Sequence, residues 1–455
     1  MTPHALRRTA KMEKKMPLDE TAHTNSRALQ KKARLLIPGG AHTYAKGDDQ
    51  FPEHAPGFIE RGAGCHVWDA DGNEYIEYGM GLRAVTLGHG FGPVIEAAAA
   101  QLPHGTNFTR PAPIEVECAE EILDLVAGAE MVKFCKDGSM AVDGAIKLAR
   151  AYTGRDMVAI CGDHPFFSTN DWFIGSTEMP GGIPEWVCSQ TVKFRFNNIG
   201  SLESLFDQYP NRIACIVMEA ARTEEPHAGF LESVKACAHR HGAVFVLDEM
   251  ITGFRWDLQG AQHTYGITPD LSTFGKALAN GFSVSALAGR RDLMQLGGGG
   301  HEKERVFLLS TTHGAETHGL AAAIATMRFY KQNPVIETLY ERGERLRLGL
   351  QRTIALLNLE RYFDFASRDC NLIFGTRDSE GKPSQKFRTL FLQELIKGGV
   401  IAPSFVVSFS HTEADIDRTI EVASEALTVY KKAIEEGVDK YLIGRSVEPV
   451  FRRYG

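Results

Sequence analysis

Closely spaced cysteines, long apolar runs and an excess of positive charge are all missing from this 455-residue chain. Its eight cysteines are scattered, the nearest two being Cys118 and Cys135, which excludes Cys-x-x-Cys and zinc-ribbon spacing. Several sit in apolar stretches, Cys135 after Met131–Phe134 and Cys215 within Ile213–Met218, where a reduced thiol behaves as a small hydrophobe. Uninterrupted apolar runs are no longer than the kind seen at Ala243-Val244-Phe245-Val246-Leu247, far below the roughly 20 residues of a membrane span. Fifty Lys+Arg against 57 Asp+Glu leave a formal charge of −7, opposite to the usual bias of a protein that grips nucleic acid. The N-terminal stretch mixes Arg7, Arg8, Lys11, Lys14 and Lys15 with Glu13, Asp19 and Glu20 and has no apolar core, so it is not read as a secretory signal. These absences predict a cytoplasmic protein with neither membrane nor nucleic-acid partner, and a disordered extension over 1–24.

What is present is ordinary globular material: 43% hydrophobic and 24% charged residues. The length allows about two or three lobes. Asn25–Leu36 suits a helix capped by Asn25 or Ser26 and stopped by Pro38-Gly39-Gly40. Short strands are expected near 58–60, 66–68 and 74–76, the last two joined by the turn Asp69-Ala70-Asp71-Gly72-Asn73. From about residue 91 strands alternate with helices: strands at 131–135, 157–161, 213–218 and 243–247, a further short strand in the stretch from Asp270 that ends before Gly275, and helices at 139–152, 231–241 and 319–331. That alternation implies an α/β fold with a mainly parallel central sheet. Beyond Pro334, helices near 337–357 and 414–436 and strands near 371–374 and 405–409 read as a smaller α+β unit. The expected division is 25–90 as the N-terminal segment of a small domain, 91–333 as the large domain and 334–455 as the C-terminal small domain.

Three features carry candidate chemistry. Asp248 ends the apolar run Val246-Leu247, at the strand edge where open α/β sheets bind ligands; an isolated acid there reads equally as a solvated charge. Lys276 follows a strand and Gly275, where desolvation would lower its pKa and make a carbonyl-reactive amine, or where it would simply point into water. Lys136-Asp137-Gly138-Ser139 opens a helix whose free N–H groups and dipole favour an anion by up to about 2 kcal/mol, although Ser139 could be only a cap. A phosphate cradle, a buried acid and a strand-end lysine are together what pyridoxal phosphate requires: an anchor, a partner for its pyridine nitrogen and an amine for its aldehyde. His239 and His241 flank a helix end without any metal-ligand spacing, and Gly297–Gly300 lacks the Lys-Ser/Thr of a phosphate loop.

A longer set of motifs resembles the class III aminotransferases, and within them the glutamate-1-semialdehyde aminomutase branch. It comprises Phe245–Arg255, Gly260-Ala261-Gln262, Tyr265–Asp270, Gly275-Lys276, Ile37–Gly40, Trp68–Asn73, Leu87-Gly88-His89, Lys147–Arg155 and His411-Thr412-Glu413 with Asp415-Ile416-Asp417, in register over about 25–430. The resemblance implies a fold type I pyridoxal 5'-phosphate enzyme, a homodimer with shared active sites. It implies that Lys276 forms the Schiff base, Asp248 pairs with the pyridine nitrogen, Met250 packs on one ring face and the turn at Gly138 and Ser139 binds phosphate. The family's usual turn, Asn-Ser-Gly-Thr-Glu-Ala, is here Lys-Asp-Gly-Ser-Met-Ala, so side-chain help from Asp137 is in question. Thr312, with adjacent Thr311 as rival, falls where the family reaches the partner's phosphate. His164, with Phe166 as rival, falls where a ring-stacking aromatic is usual.

The substrate side departs from the aminomutase. Its arginine after Pro-Gly-Gly is replaced within Ala41–Lys46, its tryptophan aligns with Leu82 beside an added Arg83, and its glutamate after Ala-Pro-Ser has no counterpart in the short 403–410 stretch. These differences favour a two-substrate transamination between an amino donor and a carbonyl acceptor, with Lys276 as general base and acid, over an intramolecular exchange. Arg83 could hold a carboxylate in a bidentate fork, and Tyr44, Lys46 and Arg83 would suit a hydroxylated or sugar-like acceptor. The competing readings are a true aminomutase and a non-catalytic scaffold, the latter disfavoured because Lys276 and Asp248 are both present.

Overall fold

The computed structural model describes residues 23–164 and 166–453; residues 1–22 of the expected extension lie outside them. The first helix already begins at Thr24 and runs to Leu36. Neither Asn25 nor Ser26 caps it. The amides of these two residues instead donate to Asp71 Oδ1 and Oδ2, at 2.7 and 2.9 Å. A carboxylate from the distant turn therefore satisfies the orphan donors of the first helical turn.

Alternating side chains and the Asp69–Asn73 turn build an antiparallel meander of β1 (Ile59–Ala63), β2 (His66–Asp69) and β3 (Glu74–Glu77). The central strands are β4 (Met131–Cys135), β5 (Met157–Cys161), β6 (Thr191–Phe194), β7 (Ile213–Met218), β8 (Val244–Asp248), β9 (Leu271–Phe274) and β10 (Ser285–Gly289). They form one seven-stranded sheet in the order β4-β10-β9-β8-β7-β5-β6. Every residue of β5, β7 and β8 is buried, as expected of strands covered by helices on both faces. Only β10 reverses direction, antiparallel to both β4 and β9. Because β10 turns twice, β4 points the same way as β5 to β9, and the chain leaves all of these strands at one edge of the sheet.

The helix Gly138–Thr153 lays Ala141, Val142, Ala145, Ile146, Leu148 and Ala149 into the core. Asp137 caps it by accepting from the Met140 amide at 2.9 Å, and Gly154, at φ 68°, closes it with its N–H on the Arg150 carbonyl. Near the C-terminus, β11 (Phe363–Ala366), β12 (Asn371–Thr376) and β14 (Phe405–Val406) form a three-stranded sheet against the helices Val335–Leu356, Gln385–Lys397 and Glu413–Glu436. The two-residue β13 (Val400–Ile401) crosses to pair in parallel with β3, so residues from both ends of the chain share a sheet. The strand expected over 405–409 stops at Val406. Beyond it the Ser408 amide donates to His411 Nδ1 and the Phe409 amide to the Thr86 carbonyl, which turns the chain away.

Candidate functional site

The common strand edge gathers residues that lie far apart in sequence: Gly138 beyond β4, His164 beyond β5, Glu219 after β7, Asp248 ending β8 and Lys276 beyond β9. Asp248 is buried and its Oδ1 accepts from the Met250 amide at 2.9 Å and Thr273 Oγ1 at 3.2 Å. No protein donor is recorded for Oδ2 among the described residues. Burial raises the Asp248 pKa, while Lys276 and these two donors oppose it. Lys276 takes a left-handed φ of 44° at the start of the turn Lys276–Ala279, a conformation that non-glycine residues keep only where the surroundings enforce it. Burial lowers its pKa, with Asp248 and Glu219 pulling the other way. Desolvation that disfavours the charged form of the amine is what attack on a carbonyl requires.

Met250 lies between the two glycine turns. A Cβ on Gly138 would come within 2.8 Å of its sulfur and one on Gly275 within 2.7 Å, so the expected phosphate turn, the lysine turn and Met250 are in direct contact. The cap settles on Asp137, not Ser139, whose Oγ accepts from the Thr169 amide at 3.0 Å. Among the described residues neither the Gly138 nor the Ser139 amide has a backbone partner, and both remain donors at the start of a 16-residue helix. A free carboxylate oxygen, two open amides at a helix N-terminus and a desolvated amine fit the ring nitrogen, phosphate and aldehyde of pyridoxal phosphate.

His164 is buried, and its Nδ1 accepts from the Glu219 amide at 3.2 Å. Burial, with Arg222 adding to it, pushes its pKa down to about 4, so the ring is neutral. Its rival Phe166 is exposed and packs edge-on against Phe173. Arg83 occupies a loop in which Met80, Leu82 and Arg83 all have left-handed φ, between 43° and 71°. Its Nε donates to Asn371 Oδ1 at 3.0 Å and its Nη2 to Ser404 Oγ at 3.1 Å, both neutral acceptors. Burial lowers its pKa to about 10, and the nearby Arg255 and Arg222 add to that. Thr311 and Thr312 are exposed, the Thr312 carbonyl accepting from Asn107. Tyr44 is exposed with its ring against Gly39, and among the described residues no hydrogen bond links it to Arg83 or Lys276.

Two members of this cluster escaped sequence reasoning. Glu219 is buried, its Oε2 has no hydrogen-bond partner among the described residues, and burial lifts its pKa to about 7, helped by Asp248 and opposed by Arg222, Lys276 and Arg83. The signal that singled out Asp248, an acid ending an apolar strand, was equally present after Ile213–Met218. Arg222 carried no such mark.

Against this geometry, the family description aminotransferase class-III matches residues 45–164 and 168–358. The chain belongs to the class III aminotransferases. It is 30% identical over 431 residues to a glutamate-1-semialdehyde 2,1-aminomutase of Syntrophobacter fumaroxidans, covering 90% of this chain and 98% of that one. Identity to a 3-aminobutyryl-CoA aminotransferase of Cloacimonas acidaminovorans is 29%, again over 90% and 98%. Among solved structures, the PLP internal aldimine form of Sphingopyxis sp. MTA144 FumI superposes with a TM-score of 0.82 at 27% identity, covering 91% of this chain and 98% of that one. This class III aminotransferase thus has the fold type I architecture and uses pyridoxal 5'-phosphate to transfer an amino group between small molecules. Among the described residues no helix is long and apolar enough to cross a membrane.

Proposed function

We propose that the enzyme runs a two-substrate, ping-pong transamination in which Lys276 is the catalytic residue. Gly138, Ser139, Asp248, Met250 and His164 would hold the cofactor, and Arg83 would hold a substrate carboxylate. When bound, pyridoxal 5'-phosphate supplies the carbonyl that takes an amino group from one substrate and yields it to another, and the ring that withdraws the electrons of the broken C–H bond. Lys276 Nζ, whose pKa burial lowers, takes the proton from the donor carbon and returns it in the second half-reaction. Asp248 keeps a proton on the ring nitrogen through its free Oδ2. The Gly138 and Ser139 amides anchor the phosphate.

The observation carrying the two-substrate reading is Arg83. Its guanidinium is half-buried, its hydrogen bonds go to neutral Asn371 and Ser404, and among the described residues no carboxylate forms an ion pair with it, Glu219 acting only from a distance. Adding single amines to the purified enzyme tests it: the near-visible absorbance of the lysine-bound cofactor falls, a keto product is released, and absorbance returns only when a carbonyl acceptor is added. The aminomutase reading is favoured by relatives of that name at 30% to 32% identity. It predicts conversion of glutamate-1-semialdehyde to 5-aminolevulinate with no second substrate, an outcome that would overturn the transaminase.

The proposed active unit is a cytoplasmic homodimer in which Thr312, or Thr311 beside it, reaches the partner's phosphate; their exposure on the single chain supports this. Mixing Lys276→Ala chains with Thr312→Ala chains should rescue activity, since one of the two shared sites then carries neither change. The domain division at about residues 90 and 333, with both chain ends in the small domain, is supported by the pairing of β13 with β3. A sugar-like or hydroxylated acceptor remains part of the proposal, with Tyr44 at the substrate entrance.

A further inference from the structure

The loop after β7 holds an arginine to which no described residue is bonded. Arg222 is half-buried, yet among the described residues its guanidinium has no hydrogen bond and no ion pair. Its acidic sequence neighbours are already engaged: Glu224 accepts from Asn197 at 2.9 Å, and Glu225 takes both forks of Arg368 at 3.1 Å together with the Tyr265 hydroxyl. Asp163, beside His164, is held by Arg195 at 3.1 Å and by the Phe196 amide at 2.8 Å. The carboxylate that acts on Arg222 is Glu219, which lies beyond ion-pair distance and is itself buried.

Arg222 nevertheless lies on the substrate side: it stands three residues beyond Glu219, whose amide donates to His164 Nδ1 at 3.2 Å, in the loop that leaves β7 at the strand edge shared with Asp248 and Lys276. Its charge acts on His164, Glu219 and Arg83, and it lowers the pKa of Arg83. Two partly dehydrated guanidinium groups facing the same site repel each other, and neither is neutralised by a bonded carboxylate. Bound anions would relieve that repulsion, and because the arginines come from separate loops, after β3 and after β7, they would meet separate groups on the ligand. We propose that Arg222 is a specificity-determining residue that binds a second acidic group, so that one substrate of this enzyme carries, besides the carboxylate met by Arg83, a further carboxylate or phosphate. This rests on the transaminase reading above and names its substrate class. A planar guanidinium pairs with either group through two parallel N–H···O bonds.

The holoenzyme is to be tested in single turnovers with alanine, aspartate, glutamate and O-phosphoserine. A second acidic group should raise the rate constant per unit concentration by on the order of 10-fold to 100-fold, the range of a charge-assisted contact. Faster reaction of aspartate or glutamate assigns a carboxylate, and faster reaction of O-phosphoserine a phosphate. Arg222→Gln should cost the two-acid amines at least about tenfold more than it costs alanine, and Arg222→Lys should recover only part of the difference. Succinate and propionate binding to the resting holoenzyme, measured calorimetrically, gives a readout independent of turnover. Succinate should bind tighter in the native enzyme, and Arg222→Gln should erase the gap. If no amine reacts but succinate still shows the Arg222-dependent preference, the transaminase reading fails and the diacid site stands. Equal succinate and propionate binding, or an equal loss for all amines in Arg222→Gln, overturns the site.

Discussion

The proposed cofactor half and the proposed substrate half of this site are built on opposite plans. Asp248, Met250, Gly275 and Lys276 sit on two adjacent strand ends, β8 and β9, within one stretch of sequence, with Gly138 and Ser139 on a single long helix. The substrate half draws Arg83, Glu219 and Arg222 from two loops, and braces Arg83 with Asn371 and Ser404 from the C-terminal sheet. The first half is held by backbone geometry, the second by long-range side-chain contacts. Chemistry common to a whole family can rest on the rigid sheet edge, while substrate choice can change with loops.

The difference can be tested from its strongest element down. Lys276→Ala should abolish turnover, with a loss of at least about 10²- to 10⁴-fold for the missing acid–base step alone. Borohydride, which should otherwise fix the cofactor to the peptide containing residue 276, should label nothing there; label on another lysine would break the assignment. Asp248→Asn should slow the half-reaction by roughly 10- to 100-fold, the worth of one charge-assisted hydrogen bond. It should not lower the melting temperature of cofactor-free protein, because burial already disfavours the charge of Asp248 and the amide removes it. A large fall in melting temperature with no loss of rate would make Asp248 structural.

On the substrate side, Arg83→Ala should act mainly on KM for the partner bearing a carboxylate, by about tenfold or more. Arg83→Lys should restore little, since an ammonium cannot reproduce a fork braced at Nε and Nη2. Loss in kcat with KM unchanged would move Arg83 out of the binding role.

The smallest effect is expected away from both halves, at the 3.0 Å pair of His66 Nε2 and Asp415 Oδ1. The Asp415 hydrogen bond raises the His66 pKa against the opposing effect of burial. Burial works to raise the Asp415 pKa, but hydrogen bonds from His66, Thr412 and Cys65 outweigh it and hold the carboxyl well below the usual range. The pair's stabilisation is therefore fully present between the unfolded values, about 4 for the acid and about 6.5 for the imidazole. It is lost as pH rises through the raised His66 value or falls through the lowered Asp415 value. Denaturation of His66→Gln against the native chain across pH should show a difference of no more than about 1 kcal/mol, His66 being partly exposed, and largest in that window. A difference that grows above pH 8 would contradict it.

Legibility in the sequence followed the same division. The strands 157–161 and 213–218 emerged with their observed limits because fully buried parallel strands are continuous apolar runs; the edge strand 131–135, half-buried and interrupted by Lys133, emerged from its short apolar run before the helix start. β10, written Ser285-Ala286-Leu287-Ala288-Gly289, has no β-branched residue and passed unnoticed; it is a strand because β4 and β9 leave a gap for it. Asp71 as the remote cap of the first helix was equally invisible, since no local pattern links residues 25 and 71.

By itself the sequence determined the α/β alternation, the helix that follows the strand 131–135, and the strand-end acid and lysine, because each depends on periodicity or on turn chemistry within a few residues. Tertiary structure alone decided that five strand ends share one edge, that Glu219 is buried with a bare oxygen, that Asn371 and Ser404 brace Arg83, and that Arg222 is left without a partner. Burial and charge coupling belong to groups brought together across hundreds of residues, so they exist only once the chain has closed on itself.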